Sequence, residues 1–172
     1  MTLLFKIRHF FFTIFLKLNR SIIKEHRPVS LLNANRIGIL FFADDMHSND
    51  ILLAFCQKLK DAGKEVVLLG YIPKREFGFA YPFPLITNKD VNWYGKPTGS
   101  NPESILHSPL DLLINFHTEY CLPFEFLCAT SSAKFRVGFR PDSTIANYDL
   151  ILIPKENKEI SNLIQNLENY LK

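Results

Sequence analysis

Two uninterrupted apolar runs, with a helical pattern between them, constrain the fold more than any other feature of this chain. Residues 36–43 read RIGILFFA and residues 65–70 read EVVLLG. Runs that do not alternate with polar residues are typical of strands buried on both faces of a parallel sheet. Between them, apolar residues recur at helical spacing: Ile51, Leu52, Ala54, Phe55 and Leu59. The pattern predicts a βαβ unit whose helix is capped by Asn49 and ends at Gly63.

Similar patterns continue to the end of the sequence. Further strands are predicted at 111–116, 134–139 and 148–153, with a short one at 85–87, and helices at 121–131 and 156–172. Glu125 is predicted to lie on the polar side of the helix at 121–131. Strands that alternate with helices favour a mostly parallel sheet. We therefore predict a single α/β domain over residues 36–172, Rossmann-like and three-layered, with five to six strands.

Residues 1–25 form a separate segment, for which we predict a basic, apolar, amphipathic helix joined to the domain by a linker at 26–35. On a helical projection, one stripe about 80° wide holds the polar and basic residues, namely Lys6, His9, Thr13, Lys17, Arg20 and Lys24. The opposite side is apolar and holds Leu4, Ile7, Phe11, Ile14, Phe15, Leu18 and Ile22. Charged residues interrupt every apolar window of about 20 residues, so a membrane span is not expected.

The charge of this segment indicates its partner. Residues 1–30 carry six basic side chains and one glutamate, a net charge of +5, so the remainder of the chain sums to −2. One interpretation is an interfacial helix, over residues 3–24, on an anionic membrane. The contact residues would be Lys6, Phe11, Phe15, Lys17 and Arg20. The alternative is packing on the domain or on a partner protein. We expect a cytoplasmic protein, peripheral on the inner face of the cell membrane, and no binding to nucleic acid.

Polar residues follow two of the predicted strands, where ligands bind in open parallel sheets. Candidate ligand-binding residues after the first strand are Asp44, Asp45, His47 and Asn49. Candidate catalytic residues are Asp50, together with His117 and Glu119 after the strand at 111–116. A carboxylate–imidazole cluster of this kind suits a divalent metal or acid–base chemistry on a small molecule. Turn formation and helix capping would account for the same residues without a site.

Several common chemistries are not predicted. The loop after the first strand has no glycine, so we expect no classical NAD, FAD or ATP site. We also expect no other cofactor and no bound metal. No G-x-S-x-G nucleophile motif occurs. The cysteines are three in number and form no C-x-x-C pair, and we predict that Cys56 and Cys128 are buried hydrophobes. The prediction is therefore a non-catalytic or accessory protein, with an enzyme as the alternative.

The segment at 77–97 is rich in proline, glycine and aromatic residues, including Trp93 and Tyr94. Long ordered loops of this composition are often functional. Exposed aromatic side chains would indicate a protein-interaction loop, whereas burial against the sheet would indicate structural cover.

Two resemblances add to these predictions. The stretches FPLITNKDVNWYGKP, DLLINFHTEYCLPFEFLCATSSAKFRVGF and NLENYLK resemble a bacterial family known only as a domain of unknown function. More distantly, Asn49-Asp50 and residues 111–139 resemble the N-terminal half of heptosyltransferase-like glycosyltransferases, where a Gly-Asp pair opens the first helix. That resemblance implies a shared fold, and Asp50 as the catalytic base. Asn49 replaces the glycine, and the sugar-nucleotide half has no counterpart in these residues.

Overall fold

A computed structural model describes residues 3–19, 28–74, 80–140, 147–154 and 158–172, without the side chains of 3–6 and 19. Strands and helices alternate along this part of the chain. The helices are α1 (Leu3–Asn19), α2 (Met46–Asp61), α3 (Ser100–Leu106), α4 (Leu122–Thr130) and α5 (Ile160–Tyr170). The strands are β1 (Arg36–Phe42), β2 (Glu65–Tyr71), β3 (Leu85–Ile86), β4 (Leu112–Asn115), β5 (Phe135–Gly138) and β6 (Leu150–Ile151).

The six strands form one sheet in the order β3-β2-β1-β4-β5-β6, and every neighbouring pair is parallel. Central strand β1 pairs with β2 on one side and with β4 on the other, so that Ile37 lies opposite both Val66 and Leu112. The chain runs outward from β1 in one direction and then, from β4, in the other. The prediction of a Rossmann-like α/β domain with a parallel sheet is confirmed, and β1 and β4 flank its topological switch point.

Helices cover both faces of the sheet. Helices α2 and α5 pack on one face, where Phe55 and Leu163 meet the inward side chains of β1 and β4. Helices α3 and α4 pack on the other, with Ile105 and Phe124 fully buried. Alternate residues of β4 enter the two cores, as expected for a strand buried on both faces. This arrangement is the predicted three-layer architecture.

Helix α1 packs against α4 outside these layers. Phe12 is 2% exposed and lies in a small apolar cluster with Leu122 and Phe126. At the other end of the domain, residues 28–35, most of the predicted linker, pack on the core: Ala34 is fully buried. The backbone N–H of Leu31 donates to the carbonyl of Leu171 at 2.7 Å.

Three local predictions were wrong. The N-cap of α2 is Asp45, whose side chain accepts from the N–H of Ser48 at 2.9 Å, and not Asn49, which is buried inside the helix. Helix α3 was not predicted, because seven residues are too few to show a helical period. Glu125, expected on the polar side of α4, is only 2% exposed because polar partners surround it.

Candidate functional site

A cavity of about 530 Å³ lies at the carboxyl edge of the sheet, beside the switch point between β1 and β4. The strand ends position its walls: Phe42 and Asp44 follow β1, Tyr71 ends β2, and the loop from His117 leads from β4 into α4. Helix α1 closes one side with Arg8. In open α/β sheets this is where ligands bind, so the cavity occupies the position that the fold favours for a site.

Aromatic rings form one wall of the cavity. The imidazole of His117 stacks on Phe42 with 4.9 Å between ring centroids and an interplanar angle of 15°. Tyr71 lies edge-on to Phe42 at 5.6 Å, and its hydroxyl donates to Oδ1 of Asn88 at 2.6 Å. Burial lowers the pKa of His117 and outweighs the nearby carboxylates of Glu119 and Asp44, which would raise it. The imidazole is therefore neutral at pH 7.

Three charged side chains around the cavity lack partners among the residues that the structure describes. Nε of Arg8 is buried, and no described residue accepts a hydrogen bond from it or pairs with its guanidinium. Asp44 and Glu119 are exposed, and neither accepts a hydrogen bond from any residue in the described part of the chain. Opposite charges thus face one cavity without neutralising each other directly.

The structure brings together three of the seven predicted site residues in this region: Asp44, His117 and Glu119 line the cavity. The others do not. Asp45 caps α2, and His47 and Asp50 lie on the exposed surface of that helix. Asn49 is buried beneath the loop, where its side chain donates to the carbonyl of Ala43 at 3.3 Å.

Asp50 is therefore not placed as a base for chemistry in the cavity. Within the described ranges, no three His, Cys, Asp or Glu side chains are grouped closely enough to hold a metal ion.

Sequence reasoning missed the contributions of Arg8, Tyr71 and Asn88. Arg8 did leave a signal, since it is a cation at one edge of the apolar side of α1, in the same helical direction as Phe12 and Phe15, which pack on the domain. Tyr71 becomes part of the site because it ends β2 opposite Phe42 of β1, and Asn88 because β3, which precedes it, pairs with β2.

A buried polar network supports the loop that carries His117. Glu125 accepts from Asn147 Nδ2 at 2.9 Å, from Tyr148 at 3.2 Å and from Arg140 at 3.3 Å. The hydroxyl of Tyr148 in turn accepts from Asn115 at 2.8 Å. The Oδ1 atom of Asn115 accepts from the backbone N–H of His117 at 3.1 Å, so the network fixes the start of the loop.

The cysteines do not add a nucleophile. All three are buried and unbridged, which confirms the prediction for Cys56 and Cys128. Burial raises the pKa of Cys56 to about 11 and that of Cys121, at the cavity wall, to about 12. Both are therefore protonated thiols at neutral pH, and reactivity requires the thiolate.

A second surface, the outer face of α1, consists of Ile7, Phe10, Phe11, Ile14 and Leu18. These side chains point away from the domain, with Phe10 61% and Leu18 79% exposed. Trp93, 58% exposed, extends the outer face through an edge-on contact with Phe11 at 5.1 Å. Contiguous exposed apolar side chains of this kind mark interaction surfaces.

The predicted contact residues of α1 are divided between its two sides. Phe11 lies on the outer face and Lys17 is exposed beside it, whereas Phe15 packs on Phe126 at 5.6 Å and on Tyr94 at 5.2 Å. The side chain of Lys6, and Arg20, lie outside the described residues, as do 77–79 of the aromatic loop. Of that loop's two named aromatics, Trp93 is exposed and Tyr94 is half-buried.

No helix in the described part of the chain is both long and apolar enough to cross a bilayer.

No curated protein matches the chain in sequence. A family model does match, over residues 8–172, and this range includes most of α1 as well as the whole sheet. The chain therefore belongs to the family of unknown function DUF6913.

Proposed function

We propose that this protein is a peripheral membrane protein, whose α/β domain is held at an anionic lipid surface by the outer face of α1. The observation that carries the proposal is that α1 has two apolar faces. Its inner face, centred on Phe12, already packs on α4. The outer face is not needed for that contact, yet it presents five large apolar side chains and the adjoining Trp93 to solvent.

The chemistry of this surface suits a lipid interface. Aromatic side chains such as Phe10, Phe11 and Trp93 favour the boundary between headgroups and acyl chains. Lys17 lies exposed beside the outer face, within residues 1–30, whose net charge is +5. Each basic residue near an anionic membrane contributes about 1 kcal/mol of attraction. Because α1 packs on the domain with its inner face, its outer face is free to lie along the surface of a membrane.

Vesicle binding tests the proposal. The purified full chain is mixed with vesicles of pure phosphatidylcholine, or of phosphatidylcholine with phosphatidylglycerol, and sedimented at low and high salt. We expect binding to the anionic vesicles, weakened by salt because screening reduces the attraction. The double variant F10S/L18S should bind at least about tenfold more weakly, since it removes two apolar side chains from the outer face.

A matched control uses apolar residues that are equally exposed elsewhere. Leu32 and Ile153 lie outside α1 with large exposed fractions, and L32S/I153S should bind vesicles like the unaltered chain. The proposal fails if the chain ignores anionic vesicles at low salt. It also fails if light scattering shows a dimer that F10S/L18S dissociates, because the outer face would then be an interface between two copies.

A further inference from the structure

We propose that the cavity at the carboxyl edge binds a small amine–carboxylate, such as a free α-amino acid. Arg8 would hold the carboxylate, and Asp44 with Glu119 would hold the ammonium group. This inference is independent of membrane binding, because it uses the opposite side of α1 and the ends of β1 and β4.

The strongest support is the state of the charged groups. The buried Nε of Arg8 has lost its hydration without gaining an acceptor among the described residues. A ligand carboxylate would correct this, since it matches the planar guanidinium and accepts two hydrogen bonds from it. Arg8 reaches the cavity from α1, whose position is fixed by Phe12 and by a 3.2 Å contact between Tyr120 Oη and His9 Nδ1.

The two signs of charge lie in different parts of the cavity. The positive charge of Arg8 acts on the phenols of Tyr71 and Tyr120, where it partly offsets the rise in pKa that burial causes. Asp44 and Glu119 instead act on the imidazole of His117, as does Arg140, whose charge is already paired with Glu125. A ligand that carries both signs satisfies both groups at once, whereas a ligand with one sign would leave the other group unpaired.

This charge layout argues against a phosphate or a nucleotide. One arginine faces two carboxylates, so a dianionic phosphate would be repelled more than attracted. The loop after β1, residues 43–48, contains no glycine that would let backbone N–H groups approach a phosphate. A carboxylate carries a single charge and needs only one guanidinium, which is what the cavity provides.

The aromatic wall indicates which amino acids fit. The stacked pair of Phe42 and His117, with Tyr71 beside it, gives a flat apolar surface within a volume of about 530 Å³. That surface favours an apolar or aromatic side chain, and its ring faces also attract an ammonium group. Because His117 is neutral at pH 7, it does not compete with Arg8 for the carboxylate.

The experiment measures the melting temperature of the full chain with each of the twenty L-amino acids at millimolar concentration, followed by calorimetry. A ligand that binds only the folded chain raises the melting temperature. The best ligand is then compared with its N-acetyl derivative, which lacks the cation, and its methyl ester, which lacks the anion. We expect each derivative to bind at least about tenfold more weakly, since each leaves one charged group unpaired.

Variants assign the residues. R8A should weaken binding at least about tenfold, and E119Q should do so without risk to folding because Glu119 is exposed. K60A, which removes an exposed cation from α2, is the matched control and should bind normally. The inference is overturned if no amino acid binds, if the N-acetyl derivative binds equally well, or if glucose or inorganic phosphate binds instead. It is also overturned if E119Q binds like K60A.

Discussion

Charged side chains lie at both edges of the sheet. Those at the amino edge are paired with each other, whereas those around the cavity at the carboxyl edge have no partners among the described residues. At the amino edge, Asp111 accepts from the backbone N–H groups of Asn35 at 2.8 Å and Arg36 at 3.1 Å, and from Lys134 at 2.7 Å. Arg36 in turn pairs with Glu65. At the carboxyl edge, Arg8, Asp44 and Glu119 around the cavity have no such partners among the described residues. Charges that neutralise each other stabilise the fold, and charges left open are available to a ligand.

The largest expected effect is at Asp111, where a single carboxylate serves three donors. D111A should lower the free energy of unfolding by about 2–3 kcal/mol, because two backbone N–H groups lose a charged acceptor. Urea denaturation followed by circular dichroism measures the loss. D44A, the matched change at the carboxyl edge, should be nearly neutral. If D111A is equally neutral, the network at the amino edge does not stabilise the fold and the contrast is wrong.

A smaller effect is expected from acid, and it separates the two edges by pH. The pKa of His117 lies below the value of about 6.5 for an unfolded chain. Above that pH the imidazole is neutral in both states, and its environment has its full stabilising effect. As the pH falls, the unfolded chain binds the proton first, so stability is lost until the folded pKa is passed.

H117Q should remove this loss as the pH falls below about 6.5, as measured by urea denaturation at each pH. The pKa of Asp111 behaves differently. Burial would raise it, but hydrogen bonds from Lys134 and the backbone outweigh burial and lower it. Its contribution is therefore present above about pH 4 and is lost only in stronger acid. A H117Q variant that loses stability like the unaltered chain would show that His117 is not the group titrating in the milder range.

The sequence predicted most of the fold because its signals are local. The apolar runs at β1 and β2 and the helical spacing between them need no knowledge of distant residues. Asp44, His117 and Glu119 were predicted to lie at one edge because the carboxyl ends of parallel strands lie together, and all three line the cavity there.

The rest of the site depends on contacts between distant parts of the chain. Arg8 enters the cavity only because α1 docks on α4 with Phe12 inward, and an isolated helical projection does not reveal which side packs. Glu125 looks like a surface residue until Arg140, Asn147 and Tyr148 meet it from other segments. Both residues are polar groups whose surroundings come from distant parts of the chain, and that information is absent from a local pattern.

The smallest expected effect is the most demanding test of the comparison. D44N/E119Q removes both open carboxylates while keeping their shape, and we expect the free energy of unfolding to stay within about 0.5 kcal/mol. Neither side chain accepts a hydrogen bond from a described residue, so the fold loses no contact that the structure shows. The paired control, E65Q/D111N at the amino edge, changes the same number of charges and should destabilise clearly. Equal losses in the two variants would mean that the carboxyl edge is held together by its charges after all, and that it is not open for a ligand.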